Sequence, residues 1–337
     1  MRPALVAALA SVLVATPPVL TQTSFVDDAG RRVQLPSGVG RVMAAGAPAD
    51  VLLYTLVPEM LVGRNRVPEG DMLEFVPPRF RAPVLIRQLP EVDMPEADAE
   101  LVTLKPHVYV DYGTVDGDYV AVVEAVQKRT GVAGIILDGA LSRVPDTYRR
   151  LGVAFGVKER GDRLAASADR ILTKYRGALA SGARPRVYLA CSNDGQIPCF
   201  ADESAGEQLE WLGGINAAGT RASQPRRALT IAEIAALRPD VVIVGGAAGR
   251  ASRFRANAEW KSIQAVAAGR VYQWPGLPYN WGARPPSVNR LPGLVWLRYV
   301  GAGRPFDAAA HDDIRAVFRD FYHHELTDPQ LQKLLTP

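Results

Sequence analysis

The sequence predicts an α/β protein of two similar lobes, and three observations carry that prediction. The first is an internal repeat: residues 99–113 read AELVTLKPHVYVDYG and residues 232–246 read AEIAALRPDVVIVGG, aligned without a gap. In each copy a short apolar helix is stopped by a Lys/Arg-Pro pair, because proline lacks an N–H and pushes its predecessor out of the α region. The β-branched strand that follows is apolar at nearly every position, which suits a parallel strand covered on both faces. The second observation is the alternation of strand and helix along most of the chain, the pattern of a parallel sheet. The third is one break in that rhythm: residues 159–180 hold neither a proline nor a strand, and Leu164, Ala168, Ile171, Tyr175 and Ala178 recur at helical spacing. At 337 residues the chain is too long for one ordinary core and comfortable for two. Two lobes make a cleft, and clefts between α/β lobes hold small ligands.

Taken in order, VDDAGRRVQLP within 25–40 reads as a hairpin, 41–46 as a strand, 49–56 as a helix, and 61–65 and 83–86 as strands. After the first repeat come a helix over 118–129, a strand over 134–139 and a helix over 146–155. The proline-free stretch, some 22 residues at 1.5 Å each, gives a helix of roughly 33 Å, long enough to cross a lobe. The second half repeats the alternation: a strand over 187–190, a helix over 206–212, the second repeat, a helix over 258–268, a strand over 270–274, and helices over 286–299 and 314–322. Thr230 and Glu233 form a T-x-x-E capping box at the start of the second repeat's helix. The organisation this predicts is a signal segment at 1–22, an N-terminal lobe at 23–156, a connecting helix at 157–182 and a C-terminal lobe at 183–337. One stiff helix between the halves limits closure.

The net charge of +4 is small and scattered, with no basic run carrying interleaved aromatics, which argues against nucleic acid. The mild basicity favours an anionic small ligand over a cationic one. Arg2 followed by about thirteen apolar or small residues is too short to span a bilayer but matches the core of a secretory signal, with cleavage expected near Leu20 to Gln22. The absence of a nearby cysteine argues against a lipid anchor. Cys191 and Cys199, an even count at short separation in an exported chain, favour one local disulfide over two free thiols.

Ligands of parallel sheets sit beyond the carboxyl ends of the strands. In the first half those ends offer Gly46 and Ala47, Arg64 and Asn65, and Tyr112. In the second they offer Ser192 and Asn193, and the aromatic-rich loop WPGLPYNWGARPPS with Tyr279, Asn280, Trp281 and Arg284. Arg284 and Arg64 are candidates for an oxyanion or carboxylate. Gly245, Gly246 and Gly249 lack the G-x-G-x-x-G order of a dinucleotide loop. His107, His311, His323 and His324 form no metal-ligand set, no hydrolase or protease motif is present, and no cofactor is expected. Glu96, Asp98 and Glu100, and at the matching place Asp202, Glu203 and Glu207, lie at helix starts, where the dipole favours acids and where one acidic knob per lobe could meet a basic partner.

VDDAGRRVQLP, RVMAAG, LLYTLVPEMLVGRN, LVTLKPHVYVDYG, EQLEWLGGINAAG, AEIAALRPDVVIVGG, WKSIQAVAAGRVYQWPG and RPPSVNRLPGLVWL, in this order, resemble the periplasmic substrate-binding proteins that serve ABC importers of ferric siderophores, haem and cobalamin. The terminal YHHELTDPQLQKLL resembles an iron-complex subgroup, some of whose relatives carry molybdate or tungstate. The resemblance implies two Rossmann-like lobes joined by one rigid helix, a monomer in the periplasm, a metal chelate or oxyanion as ligand, and docking onto a membrane permease through one acidic residue per lobe. Glu203 falls near the docking glutamate of the second lobe and is expected on an exposed tip, away from the cleft. In the first lobe Ala99 stands where the glutamate belongs, with Glu100 beside it. A reading of another class is an α/β enzyme working at the same cleft.

Overall fold

Asp27 sets the first turn. Its carboxylate accepts the N–H groups of Ala29 and Arg31 and pairs with the Arg31 guanidinium at 2.7 Å. This closes an antiparallel hairpin of β1 (Thr23–Val26) and β2 (Arg32–Leu35). The computed structural model describes residues 23–81, 84–86, 95–181, 184–223, 226–246, 249–282 and 284–336, so the expected signal segment lies outside the described residues.

Beyond the hairpin, β3 (Val42–Ala44), α1 (Ala47–Leu56), α2 (Pro95–Leu104), β4 (Val108–Gly113), α3 (Gly117–Thr130), β5 (Ala133–Asp138) and α4 (Val144–Ala154) alternate. The three strands pair in parallel in the order β3-β4-β5. The strands expected at 61–65 and 83–86 appear only as single parallel bridges, Val42 with Leu61 and Arg64 with Leu85. Gly63 permits this close approach, since a Cβ there would lie 2.5 Å from Ile86 Cγ2 and 2.7 Å from the Val84 carbonyl.

The long helix α5 (Lys158–Tyr175) follows. Its 18 residues give about 27 Å, shorter than expected. Arg176 leaves the helix with ψ 121°, its guanidinium stacked 4.0 Å over the Trp211 ring. Gly177 then turns left-handed (φ 67°) and donates to the Trp211 carbonyl.

The second sheet is built from β6 (Arg186–Ala190), α6 (Ser204–Leu212), β7 (Ile215–Asn216), α7 (Ile231–Ala236), β8 (Val241–Val244), α8 (Arg250–Ala256), α9 (Gln264–Ala267) and β9 (Val271–Gln273), with parallel strand order β7-β6-β8-β9. The helix expected over 258–268 is broken. The Asn257 side-chain oxygen accepts the Glu259 and Trp260 N–H groups, and Ile263 is extended, which leaves a short turn and the four-residue α9. Each copy of the repeat supplies an interior strand, β4 in one sheet and β8 in the other. Both copies reverse in the same way: Lys105 (φ 46°) and Arg238 (φ 48°), each just before the proline, adopt the left-handed conformation that non-glycine residues rarely use. The capping box at Thr230 and Glu233 is present.

The chain ends in α10 (Arg290–Gly301), α11 (Ala308–Tyr322) and α12 (Asp328–Leu335). These helices run back onto the first lobe. Tyr54 on α1 donates to the Tyr322 carbonyl, Phe75 packs edge-on to Phe318, and Lys333 pairs with Glu74 at 2.7 Å. One apolar cluster therefore runs from Val42 and Leu52 through Leu164 and Ile171 to Leu189, Leu294 and Phe318, uniting both sheets with α1, α5, α10 and α11. No helix among the described residues is long and apolar enough to cross a membrane.

Candidate functional site

The strand ends of the first sheet face the start of α6 across a cavity of about 1200 Å³. Gly46, Ala47 and Pro48, at the N-terminus of α1, form one edge. Asp111 to Asp116 after β4 and Asp138 to Ala140 after β5 form the floor and wall, and Ala201 to Ser204 with Glu207 close the far side. Tyr119 supplies exposed aromatic surface, while Tyr109 and Tyr112 lie buried behind the wall. The two halves touch at its base. Glu207 accepts the Leu141 N–H at 2.7 Å and pairs with the buried Arg290 at 2.5 Å, and Arg290 also donates to the Gly139 carbonyl. Ser287 donates to the Pro48 carbonyl at 2.8 Å.

The wall is acidic. Asp111, Asp116, Asp118, Asp138, Asp202, Glu203 and Glu207 line it against a single arginine, Arg129, which pairs with Asp98 at 2.5 Å. Glu203 pairs with Arg226 at 2.7 Å and Glu207 with Arg290, whereas among the described residues none of the five aspartates of the wall forms an ion pair. Three of the five are held by backbone N–H groups: Asp116 caps α3, Asp138 accepts Ala140 N–H, and Asp202 accepts Arg221 N–H. Burial pushes the Asp111 carboxyl above the ordinary carboxylate range, against the help of the Tyr112 N–H. Tyr112 is 1% exposed, and burial pushes its pKa up to about 12 against the pull of the Arg290 guanidinium. A concave wall dominated by one sign of charge focuses its field on whatever enters. The excess of positive charge behind the net +4 sits elsewhere on the molecule.

Of the residues expected at the site, Gly46, Ala47 and Tyr112 line the cavity together. Arg64 does not. It is 1% exposed, bonded to Asp50 through both carboxylate oxygens at 2.7 and 3.0 Å and to the Tyr279 hydroxyl at 2.6 Å, with its guanidinium over the Tyr54 ring. Burial alone would make Arg64 less basic; Tyr279 and Asp50 more than offset it and hold the guanidinium charged. Asn65 beside it lies outside the wall. Tyr279 is consumed by that buried network, and Trp281 is wholly buried, donating to the Leu277 carbonyl and packing on Phe318. The aromatic loop is thus core rather than ligand surface. Asn280 holds its own turn through Gly282 N–H. Arg284 donates to the Cys191 carbonyl at 2.7 Å, Ser192 bonds Asp194, and the Asn193 carbonyl accepts from Arg250. These contacts brace the loop that the Cys191–Cys199 disulfide closes, and none of the four lines the cavity.

Glu203, expected on an outer tip, stands in the cavity wall and also accepts the Phe200 N–H at the start of α6. Glu100 lies half-buried on α2, away from the wall. Sequence reasoning missed Asp111, although a signal existed: it is the acid in an otherwise apolar repeat strand, at the position where the second copy carries Val244.

The model of the periplasmic binding protein family matches residues 117–277. No curated protein sequence matches the chain. Among solved structures, an ABC transporter solute-binding protein from Sulfurospirillum deleyianum is similar at 22% identity and a TM-score of 0.80, covering 92% of this chain and 98% of its own. The molybdate-binding protein MolA of Haemophilus influenzae aligns at 17% identity and a TM-score of 0.70, covering 90% and 99%. The vitamin B12-binding protein BtuF of Vibrio cholerae aligns at 17% identity and 0.58, covering 79% and 97%. Identities this low establish the shared fold and leave the ligand open. The chain thus shares the fold of these solute-binding proteins, two parallel sheets with a cleft between them, and its residues 117–277 are similar to the periplasmic binding protein family.

Proposed function

We propose that the chain is the solute-capturing component of an ABC importer, taking a siderophore-type iron chelate that is neutral or cationic between lobes at 23–156 and 183–337 and handing it to a membrane permease. Glu100, on the outside of the first lobe, is the proposed docking acid. The observation that carries the reading is the cavity itself: about 1200 Å³, lined by five aspartates that form no ion pair among the described residues, with the exposed ring of Tyr119 beside them. That volume exceeds the usual few hundred to roughly 1,000 Å³ of a small-ligand pocket and suits a whole chelate better than a tetrahedral oxyanion. The carboxylates oppose molybdate, tungstate and the dianionic haem, and favour a ligand whose ferric centre is already wrapped by neutral or hydroxamate donors with a free ammonium at the rim. Cobalamin fits by size but offers no cation to the aspartates. Capture without turnover is part of the proposal.

The test is calorimetry across a charge series: a cationic ferric trihydroxamate, a neutral one, a trianionic ferric tricatecholate, cobalamin and molybdate. The cationic chelate should bind most tightly and weaken as salt rises. Tighter binding of molybdate or the tricatecholate would overturn the ligand class, and conversion of any ligand would overturn the transport reading.

A further inference from the structure

A second cavity, of about 600 Å³, opens at the far end of α1. The cleft meets α1 at Gly46 to Pro48 and this basin meets it at Pro58 and Glu59, so the two lie one helix length apart, about 15 Å. Its charge is opposite. Arg160, Arg163 and Arg170 project from one face of α5 at helical spacing, with Arg79 from the loop after α1 and Arg319 from α11 completing the ring. Only two carboxylates answer these five guanidiniums. Glu59 takes Arg160 at 2.6 Å, and Asp320 takes Arg319 at 2.9 Å and Arg170 at 3.8 Å. Arg79 and Arg163 are exposed and form no ion pair among the described residues; Arg79 stacks on Phe80, 4.7 Å from its ring centre. Pairing with acids therefore does not account for the cluster. Five permanently charged forks with most of their donors unused, converging on one concavity, match the geometry of a group bearing several anionic oxygens.

We infer that this basin is a second binding site, for a phosphorylated or polyphosphate group, separate from the ligand cleft. The phosphate belongs either to a soluble molecule or to an anionic lipid headgroup. Calorimetric titration of the full chain with pyrophosphate in metal-free, low-salt buffer should show one saturable site. Arg79→Ala/Arg163→Ala should weaken it at least about tenfold, since charge-assisted contacts are lost. Arg253→Ala/Arg304→Ala, which removes the same charge from exposed positions elsewhere, should leave it within about twofold. Arg163→Glu alone, at an exposed residue without partners, gives the same reading without disturbing Phe80. Co-sedimentation with phosphatidylglycerol vesicles but not phosphatidylcholine vesicles, lost in the same variants, identifies the headgroup as the source; pyrophosphate binding without vesicle binding identifies a soluble one. No saturable pyrophosphate binding, or equal weakening by the remote pair, overturns the inference.

Discussion

Replacing Asp50 by Asn keeps the shape of the buried network and removes its only negative charge. Arg64 would stay charged at 2% side-chain exposure, with one amide oxygen and the Tyr279 hydroxyl in place of a bidentate carboxylate. Stranding a buried charge this way costs about 3–5 kcal/mol, against a total stability of roughly 5–15 kcal/mol, and should lower the melting temperature by roughly 5–10 °C. Removing both charges is a different perturbation. Asp50→Asn/Arg64→Met has no stranded cation, so the double variant should recover about 1–3 kcal/mol relative to Asp50→Asn alone. Tyr279→Phe removes one hydrogen bond to a charged group and should cost about 1.5–3 kcal/mol. Urea titration of the four proteins, read as midpoint and slope, gives the stability of each variant relative to the parent. An Asp50→Asn variant within about 1 kcal/mol of the parent, or a double variant no more stable than Asp50→Asn alone, would refute the account.

Asp111 tests the cleft. Because burial raises its folded-state pKa above the ordinary carboxylate value, the unfolded chain loses that proton first, and stability falls as pH rises through the window between the two values. Asp111→Asn should therefore be more stable than the parent at pH 7 by chemical denaturation, while binding the cationic chelate more weakly; a less stable variant contradicts the sign. Trp281→Ala should cost about 3–5 kcal/mol of stability and leave ligand affinity per folded molecule nearly unchanged, since the ring lies in the core and not in the cleft. Reducing the Cys191–Cys199 bridge, with its sequence separation of 8, should cost about 2–3 kcal/mol for so short a loop, and the denatured oxidised protein should expose no reactive thiol.

Much of the fold is written in local patterns. The repeat's Lys/Arg-Pro stop, its apolar strand and the proline-free helix each depend on residues near one another in sequence, so the two sheets and α5 could be read directly. Gly46, Ala47 and Tyr112 were reachable by the same logic, because the cavity opens where parallel strands end. The aromatic loop misled for a physical reason. Whether Tyr279 and Trp281 face solvent or core is decided by Tyr322 and Phe318 respectively, which arrive on α11, and no local composition encodes that arrival. Charge failed similarly. A net value of +4 averages an acidic cleft with an arginine-lined basin, and only the folded arrangement separates them.

The return of the last helices onto the first lobe sets an order of events for the nascent chain. Tyr54 waits for a carbonyl 268 residues further on, and Phe75 and Glu74 for partners on α11 and α12. Until those final turns have been synthesised, the first half has a sheet and α1 but an uncovered apolar flank. Contacts of such long sequence separation are slow to form and wait for α11 and α12. The first lobe therefore gains its clasp only after both sheets have been made, and becomes rigid late.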